Sequence, residues 1–400
     1  MQRKTVQKNT LKGFKYNKHI TDLQFLPKII HRKSVLFGTF VFLSVLKSGI
    51  WVFPGINGSH RVSVSPFVQP FYSEYEQYLM TYWLASFIAH AIGIKTLASF
   101  IFFHFIFGIF TLLILFRFIR TKVSHENQGK SLLLLAILPT ISTVFYWIGM
   151  DTFILFIMAC LAVNHKKPIL LLIFGIFGGM HHFEIMLAGT ATLLFYNLIR
   201  SNSLNIFKIR QYLHVKDIRS AFVMVLGVCM GKSILVSIFL INDIEVARDG
   251  IALGLYYFSK SAKLAATNFI PILWSMLGAV WIFFILALQQ KSRESLALFL
   301  STLIPLALVF IVLDETRILQ LTGFLFILFG LISNETFLSK LSDKVIKIIL
   351  VLWLFMPWIW VWQKVFGSVT TFSIRYALSR LFDNDLAPWG GNILLWPFPF

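Results

Sequence analysis

Long runs of apolar side chains recur along this chain, divided by short segments that carry most of its charge. Residues 101–116, 221–241 and 270–288 approach the ~20 residues an α-helix needs to cross ~30 Å of hydrocarbon. Hydrophobic residues make up 57% of the 400-residue chain and charged residues only 13%, whereas soluble domains hold close to a quarter charged. The expected fold class is therefore an all-α polytopic integral membrane protein.

A net charge of +19 invites a nucleic-acid partner. The basic residues, however, lie in short segments between apolar runs, where the positive-inside rule explains them, and no basic surface domain is present to grip a phosphate backbone. No nucleic-acid partner is expected. Residues 1–34 read as a basic cytoplasmic segment, with Arg3, Lys4, Lys8, Lys12, Lys15 and Lys18 set among Phe14 and Tyr16, suited to anionic membrane lipids. Its first apolar run begins only near Val35, so it does not have the form of a cleavable signal. Cys160 and Cys229 fall inside apolar runs and offer neither a disulfide framework nor a thiolate metal site.

Laid across a bilayer, the chain yields about eleven spans within residues 35–363. The first, 35–53, leads out to a polar loop, 54–77, and then to 78–92, which reads as an amphipathic helix on the outer interface. Span 96–116 returns to Arg117, Arg120 and Lys122. Residues 131–148 lead out again, and 152–163 come back to His165, Lys166 and Lys167. Two short runs, 168–180 and 183–199, meet at an outer turn. Span 221–241 reaches an outer loop, 242–268, before 269–288, 296–313 and 318–333 alternate. A last crossing, 345–362, carries Trp353, Trp358, Trp360 and Trp362 toward an aromatic belt. The tail, 364–400, is then expected outside. Inner segments are consistently rich in Lys and Arg, as the positive-inside rule requires.

Acidic residues collect at the outer ends of these runs. A carboxylate near hydrocarbon is unfavourable by roughly 2.5–3.5 kcal/mol at mid-bilayer and less near the interface, so several on one side point to a site. Glu74 and Glu76 are either a general acid or base held at the membrane face or ordinary loop carboxylates. Asp151 is either an N-cap for the helix it opens or a second site carboxylate. His181, His182 and Glu184 lie within one turn and allow proton exchange, a substrate hydrogen bond or a divalent cation, although they lack the i, i+4 histidine pair of a zinc helix. Asp314 and Arg317 are three apart and pair on one helical face, or Arg317 clamps a phosphate. No phosphate loop, Ser/His/Asp arrangement or cofactor fingerprint occurs, and no cofactor is required.

The order of these features resembles the GT-C superfamily of membrane glycosyltransferases. Glu74-Tyr75-Glu76 followed by 78–92 is similar to that family's first outer loop and its interfacial helix. Tyr146-Trp147-Ile148-Gly149-Met150-Asp151 is similar to its second acidic position, and Asp314-Glu315-Thr316-Arg317-Ile318-Leu319 to the acidic-plus-Arg element of lipid-linked mannosyltransferases. The resemblance implies a GT-C-like bundle that moves a sugar from a polyprenyl-phosphate donor to a glycan or lipid acceptor on the non-cytoplasmic face. Cell-envelope polysaccharide synthesis is the expected setting; the Phe-rich, Cys-poor composition fits a bacterial inner membrane, and an endoplasmic reticulum membrane stays open. Glu74, Glu76 and Asp151 would be catalytic. His181, His182, Glu184, Arg248, Lys260, Lys263, Asp314 and Arg317 would bind substrate. The loop holds Glu-x-Glu where paired aspartates are common, and no soluble C-terminal domain follows, which favours a monosaccharide transferase over an oligosaccharyltransferase. Two other classes stay open: a Wzy-like polymerase using Arg248, Lys260 and Lys263, and a transporter or lipid flippase, which Lys232 within 221–241 keeps in view.

Overall fold

A computed structural model describes residues 33–46, 48–52, 55–68, 80, 82–201, 214–245, 250–312, 314–356, 358–362, 364–368 and 393–395. Helices dominate. In chain order they are α1 (Lys33–Leu46), α2 (Ile56–Val64), α3 (Trp83–Ala91), α4 (Leu97–Lys122), α5 (His125–Ala136), α6 (Pro139–Tyr146), α7 (Met150–Val163) and α8 (Pro168–Arg200). There follow α9 (Lys216–Ile241), α10 (Gly250–Thr267), α11 (Phe269–Leu277), α12 (Trp281–Gln289), α13 (Arg293–Val309), α14 (Glu315–Ile327) and α15 (Asp343–Phe355).

Among the described residues, five stretches are long and apolar enough to cross a membrane: Leu97–Lys122, Pro168–Arg200, Lys216–Ile241, Phe269–Gln289 and Glu315–Ile332. The bent pair α5–α6 would make a sixth. Large apolar side chains such as Phe102, Phe110, Leu226, Met230 and Leu240 remain exposed on α4 and α9. The architecture is compatible with a helical membrane protein.

The 33 residues of α8 would extend about 50 Å if straight. Yet both of its ends meet the first turns of α9. Ser220 Oγ donates to the carbonyl of His165, just ahead of α8, at 2.6 Å. Asn197 Nδ2 donates to the carbonyl of Asp217 at 3.3 Å, and Arg200 pairs with the Asp217 carboxylate. The chain therefore folds back on itself at His182, whose φ of −154° and ψ of 87° leave the helical region. A Cβ on Gly178 would lie 2.6 Å from Met186 Cε across that turn. The two arms, 168–181 and 183–200, match the division read from the sequence.

Close backbone packing holds the first arm to α9. Gly227 lies against Leu172 and Gly175, and Gly231 against Ile176, so the two helices run side by side in the same direction. Small residues let helix backbones approach in this way where lipid supplies no hydrophobic drive. Twelve of the fourteen residues of α7 are buried. Protein surrounds this helix, so its polar ends are covered by neighbours even though it is short.

A polar layer closes one end of the bundle. Glu335 accepts from Ser124 Oγ at 3.0 Å, from Asn127 Nδ2 at 2.7 Å and from the Ser124 N–H. Asn334 Nδ2 donates to Glu294 at 3.2 Å, Arg293 Nε to the carbonyl of Ile199 at 2.9 Å, and Lys340 Nζ to Gln290 at 2.9 Å. Segments around residues 122, 165, 200, 217, 293 and 335 thus meet at one level. These are the segments whose Lys and Arg content marks them as inner.

Several boundaries differ from the sequence reading. The polar loop 54–77 contains α2, which packs on α3 through Ser86 Oγ to the carbonyl of Ser59 and Trp83 Nε1 to the carbonyl of Pro66. Within 78–92 an α-helix runs from Trp83 to Ala91, and five of those nine residues are buried against the protein. Span 131–148 breaks by 57° between α5 and α6. Pro139 is the cause, because it drives the preceding Leu138 to extended backbone (φ −68°, ψ 128°). The outer loop 242–268 is largely α10. The last run, 345–362, is helical only to Phe355, and Trp358–Trp362 then pairs antiparallel with Lys364–Ser368 as a hairpin. Pro357 accounts for that change, since it cannot continue a helix. A second ladder joins Ile50–Trp51 to Ile393–Leu395. Residues 1–32 and most of the tail fall outside the described residues.

A side chain at Gly231 would fall onto the carbonyl of Ile176. Gly231→Ala should therefore destabilise the protein by about 1–3 kcal/mol despite alanine's better helix propensity. Gly129→Ala, with open space around it on α5, should be neutral or stabilising by up to about 1 kcal/mol. Thermal unfolding of both variants in detergent checks the pair. Equal midpoints would contradict the packing.

Candidate functional site

At the end of the bundle opposite the polar layer, α7, α8 and α14 begin or turn beside the residues that precede α3. α7 opens at Gly149, and the Gly149 N–H donates to Thr152 Oγ at 3.4 Å. Asp151 is thus not the N-cap, the first of the two readings its sequence position allows. It sits one residue inside the first turn, where the helix dipole favours a carboxylate, and its side chain is free to face α14.

Arg317 fills that position. Its Nε donates to both Asp151 oxygens, at 2.8 and 2.6 Å, and Nη2 donates to Oδ1 at 2.7 Å. Nη1 donates to Asp314 Oδ2 at 3.0 Å, one helical turn back, and Nη2 also reaches the Tyr82 hydroxyl. The Arg317 side chain is 12% exposed and that of Asp151 only 4%, whereas Asp314 is 31% exposed. Planar, bidentate pairing is the strong form of an arginine–carboxylate contact. Burial pushes the Asp314 carboxyl above its usual range, with the nearby Asp151 charge adding to this and Arg317 opposing it.

Tyr82 connects this cluster to the α8 turn. Its ring centroid lies 5.0 Å from that of His182 and 5.6 Å from that of His181, both edge-on, and 5.6 Å from Arg317 Cζ. His181 Nε2 lies 3.0 Å from the carbonyl of Met150. That contact makes Nε2 the donor, so the buried Nδ1, which has no hydrogen-bond partner, carries the lone pair. His182 Nδ1 lies 3.3 Å from Glu184, which is 45% exposed. No three His, Cys, Asp or Glu side chains are placed to hold a metal among the described residues. Cys160 and Cys229 are free thiols, one buried and one exposed.

Five expected site residues therefore converge: Asp151, His181, His182, Asp314 and Arg317, with Glu184 at the rim. Lys260 and Lys263 lie on α10. Both are exposed there. Glu74, Glu76 and Arg248 lie outside the described residues. Sequence reasoning passed over Tyr82. One tyrosine in an aromatic segment carries no spacing signal, and its role appears only once Arg317 and the two histidines surround it.

Breaking a buried ion pair by removing one partner leaves the other charge uncompensated, at about 3–5 kcal/mol. Asp151→Asn and Arg317→Gln should each lower stability on that scale, and the double variant should lose clearly less than the sum. Denaturant titration in mixed micelles measures the coupling, and strict additivity would show that the pair carries none.

Comparison with protein families, with curated proteins and with solved structures finds no match to this chain.

Proposed function

We propose that this chain is a membrane glycosyltransferase of the GT-C kind, an eleven-crossing bundle that moves a sugar from a polyprenyl-phosphate carrier to a glycan or lipid acceptor. The observation supporting it most is the convergence of carboxylates, imidazoles and an arginine from three distant segments, joined by Tyr82 from a fourth, at the end facing away from the Lys- and Arg-rich layer. That end corresponds to the non-cytoplasmic face under the positive-inside rule, and a bacterial inner membrane is the location this reading favours.

Glycosyl transfer passes through an oxocarbenium-like state, so it needs a carboxylate to take the acceptor's proton and a stabilised leaving group. An acceptor hydroxyl attacks the anomeric carbon, the bond from that carbon to the phosphate oxygen breaks, and the polyprenyl phosphate leaves with the electron pair. Asp151 is poorly suited to take the proton, because both of its oxygens already accept from Arg317. Asp314 is better suited: it holds Arg317 through Oδ2 alone, and its carboxyl lies above the usual range. Glu74 and Glu76 share the assignment. Asp151 and Arg317 then act together as the frame that orients Asp314 and Tyr82.

A transporter or flippase is the second reading, favoured by the helix breaks at Leu138 and His182, since interrupted helices near a buried charge also form transport pathways. The Wzy-like alternative leans on Arg248, for which the described residues add nothing. Transfer of radiolabelled sugar in reconstituted vesicles separates these readings. Asp314→Asn, Glu74→Gln and Glu76→Gln are each assayed, and at least one should reduce turnover about 100-fold or more, the scale of a lost general base. Full transfer by all three would defeat the proton-acceptor assignment. A ladder of repeat units in place of one added sugar would favour the polymerase.

A further inference from the structure

Lys232 lies within α9, well beyond the polar layer and nine residues short of the helix end at Ile241. It is half-buried and has no ion-pair partner among the described residues. Its Nζ stands 5.5 Å from the Phe183 ring centroid. At this level α9 is pressed against the first arm of α8, with the Lys232 backbone nitrogen 3.0 Å from where a Cβ on Gly179 would lie. Its neighbours Met230, Ile234 and Val236 are exposed and apolar, as a lipid-facing surface requires. The next residue of the α8 turn, His182, touches the Tyr82 ring that Arg317 also holds. Through Phe183 and the adjacent His182 the ammonium is thus linked to the turn that borders the Asp151–Arg317 cluster.

Two observations call for an anion there. An ammonium set among lipid-facing side chains is not compensated by one ring face, because a cation–π contact is weaker than the penalty of a lysine at membrane depth. The arginine of the cluster is also committed elsewhere. Arg317 directs donors to Asp151, Asp314 and Tyr82, and two carboxylates around one guanidinium leave no excess positive charge for a phosphate.

We propose that Lys232 is the contact for the phosphate of an anionic lipid that enters from the bilayer between α9 and the second arm of α8. Phosphate is removed from Arg317 and assigned to a compact point charge on the lipid side. The inference rests on the transferase reading only in taking the lipid to be the polyprenyl phosphate carrier.

The full-length protein in nanodiscs tests this by native mass spectrometry, with polyprenyl monophosphate, uncharged polyprenol, phosphatidylglycerol and inorganic phosphate as probes. Polyprenyl monophosphate should bind more tightly than polyprenol. Lys232→Met should weaken it about tenfold or more, while Lys232→Arg should keep it within about threefold, since either cation pairs with a phosphate. Lys232→Gln guards against a fold effect of the methionine. Wild-type affinity in both neutral variants would overturn the proposal, and so would equal binding of polyprenol. Competition by millimolar inorganic phosphate would overturn the lipid source, and equal binding of phosphatidylglycerol would overturn the carrier as its occupant. Lys232-dependent binding without any sugar transfer would sink the transferase reading alone. Transfer with an unchanged donor KM in Lys232→Met would sink the lysine alone.

Discussion

A guanidinium cannot lose its proton under any ordinary condition, so a largely buried arginine constrains everything around it. Desolvating each ion of such a pair carries a penalty of several kcal/mol, offset only by near-ideal geometry and by further hydrogen bonds to the remaining donors. Arg317 meets that condition with Asp151 on two sides of the fork, Asp314 on a third and the Tyr82 hydroxyl beside them. The start of α14 is thereby tied to the start of α7 and to the residues ahead of α3, segments 166 and 235 positions away in the chain.

The folded-back α8 places the rest of the cluster. Its turn at His182 occurs where a continuous helix would have carried the histidines past the site. With the turn, His181 reaches the carbonyl of Met150 at the start of α7, and His182 faces Tyr82. The glycine-lined contact with α9 sets the height of that turn, and the same contact brings Lys232 beside Phe183. Packing between backbones and placement of charge are therefore one problem here. Gly175, Gly179, Gly227 and Gly231 decide how close the helices come, and their closeness decides where the polar groups end.

Much of this was legible in the sequence. Apolar periodicity and charge asymmetry located α4, α9 and the two arms of α8, because hydrocarbon thickness and the need for internal hydrogen bonds leave helices little freedom. The pairing of Asp314 with Arg317 was one of the two readings that three-residue spacing allowed. The pairing of Asp151 with Arg317 could not, since nothing local in either segment encodes a contact across 166 positions. Local chemistry misled in four places. Leu138–Pro139 and Pro357 interrupt runs whose hydropathy is continuous. The polarity of 56–64 concealed a helix stabilised by hydrogen bonds to α3. The capping preference of aspartate offered an end position as one reading of Asp151, but Gly149 takes that place and leaves the carboxylate to the arginine.

The site and the Lys- and Arg-rich layer lie at opposite ends of one bundle, and the functional reading depends on their facing different compartments. Membrane-impermeant maleimide labelling of single cysteines tests this directly in oriented vesicles, with Cys160 and Cys229 first replaced. A cysteine at Glu184, at the rim of the cluster, should label from the non-cytoplasmic side only, and one at Lys340, in the polar layer, from the cytoplasmic side only. Labelling of both positions from the same side would contradict it.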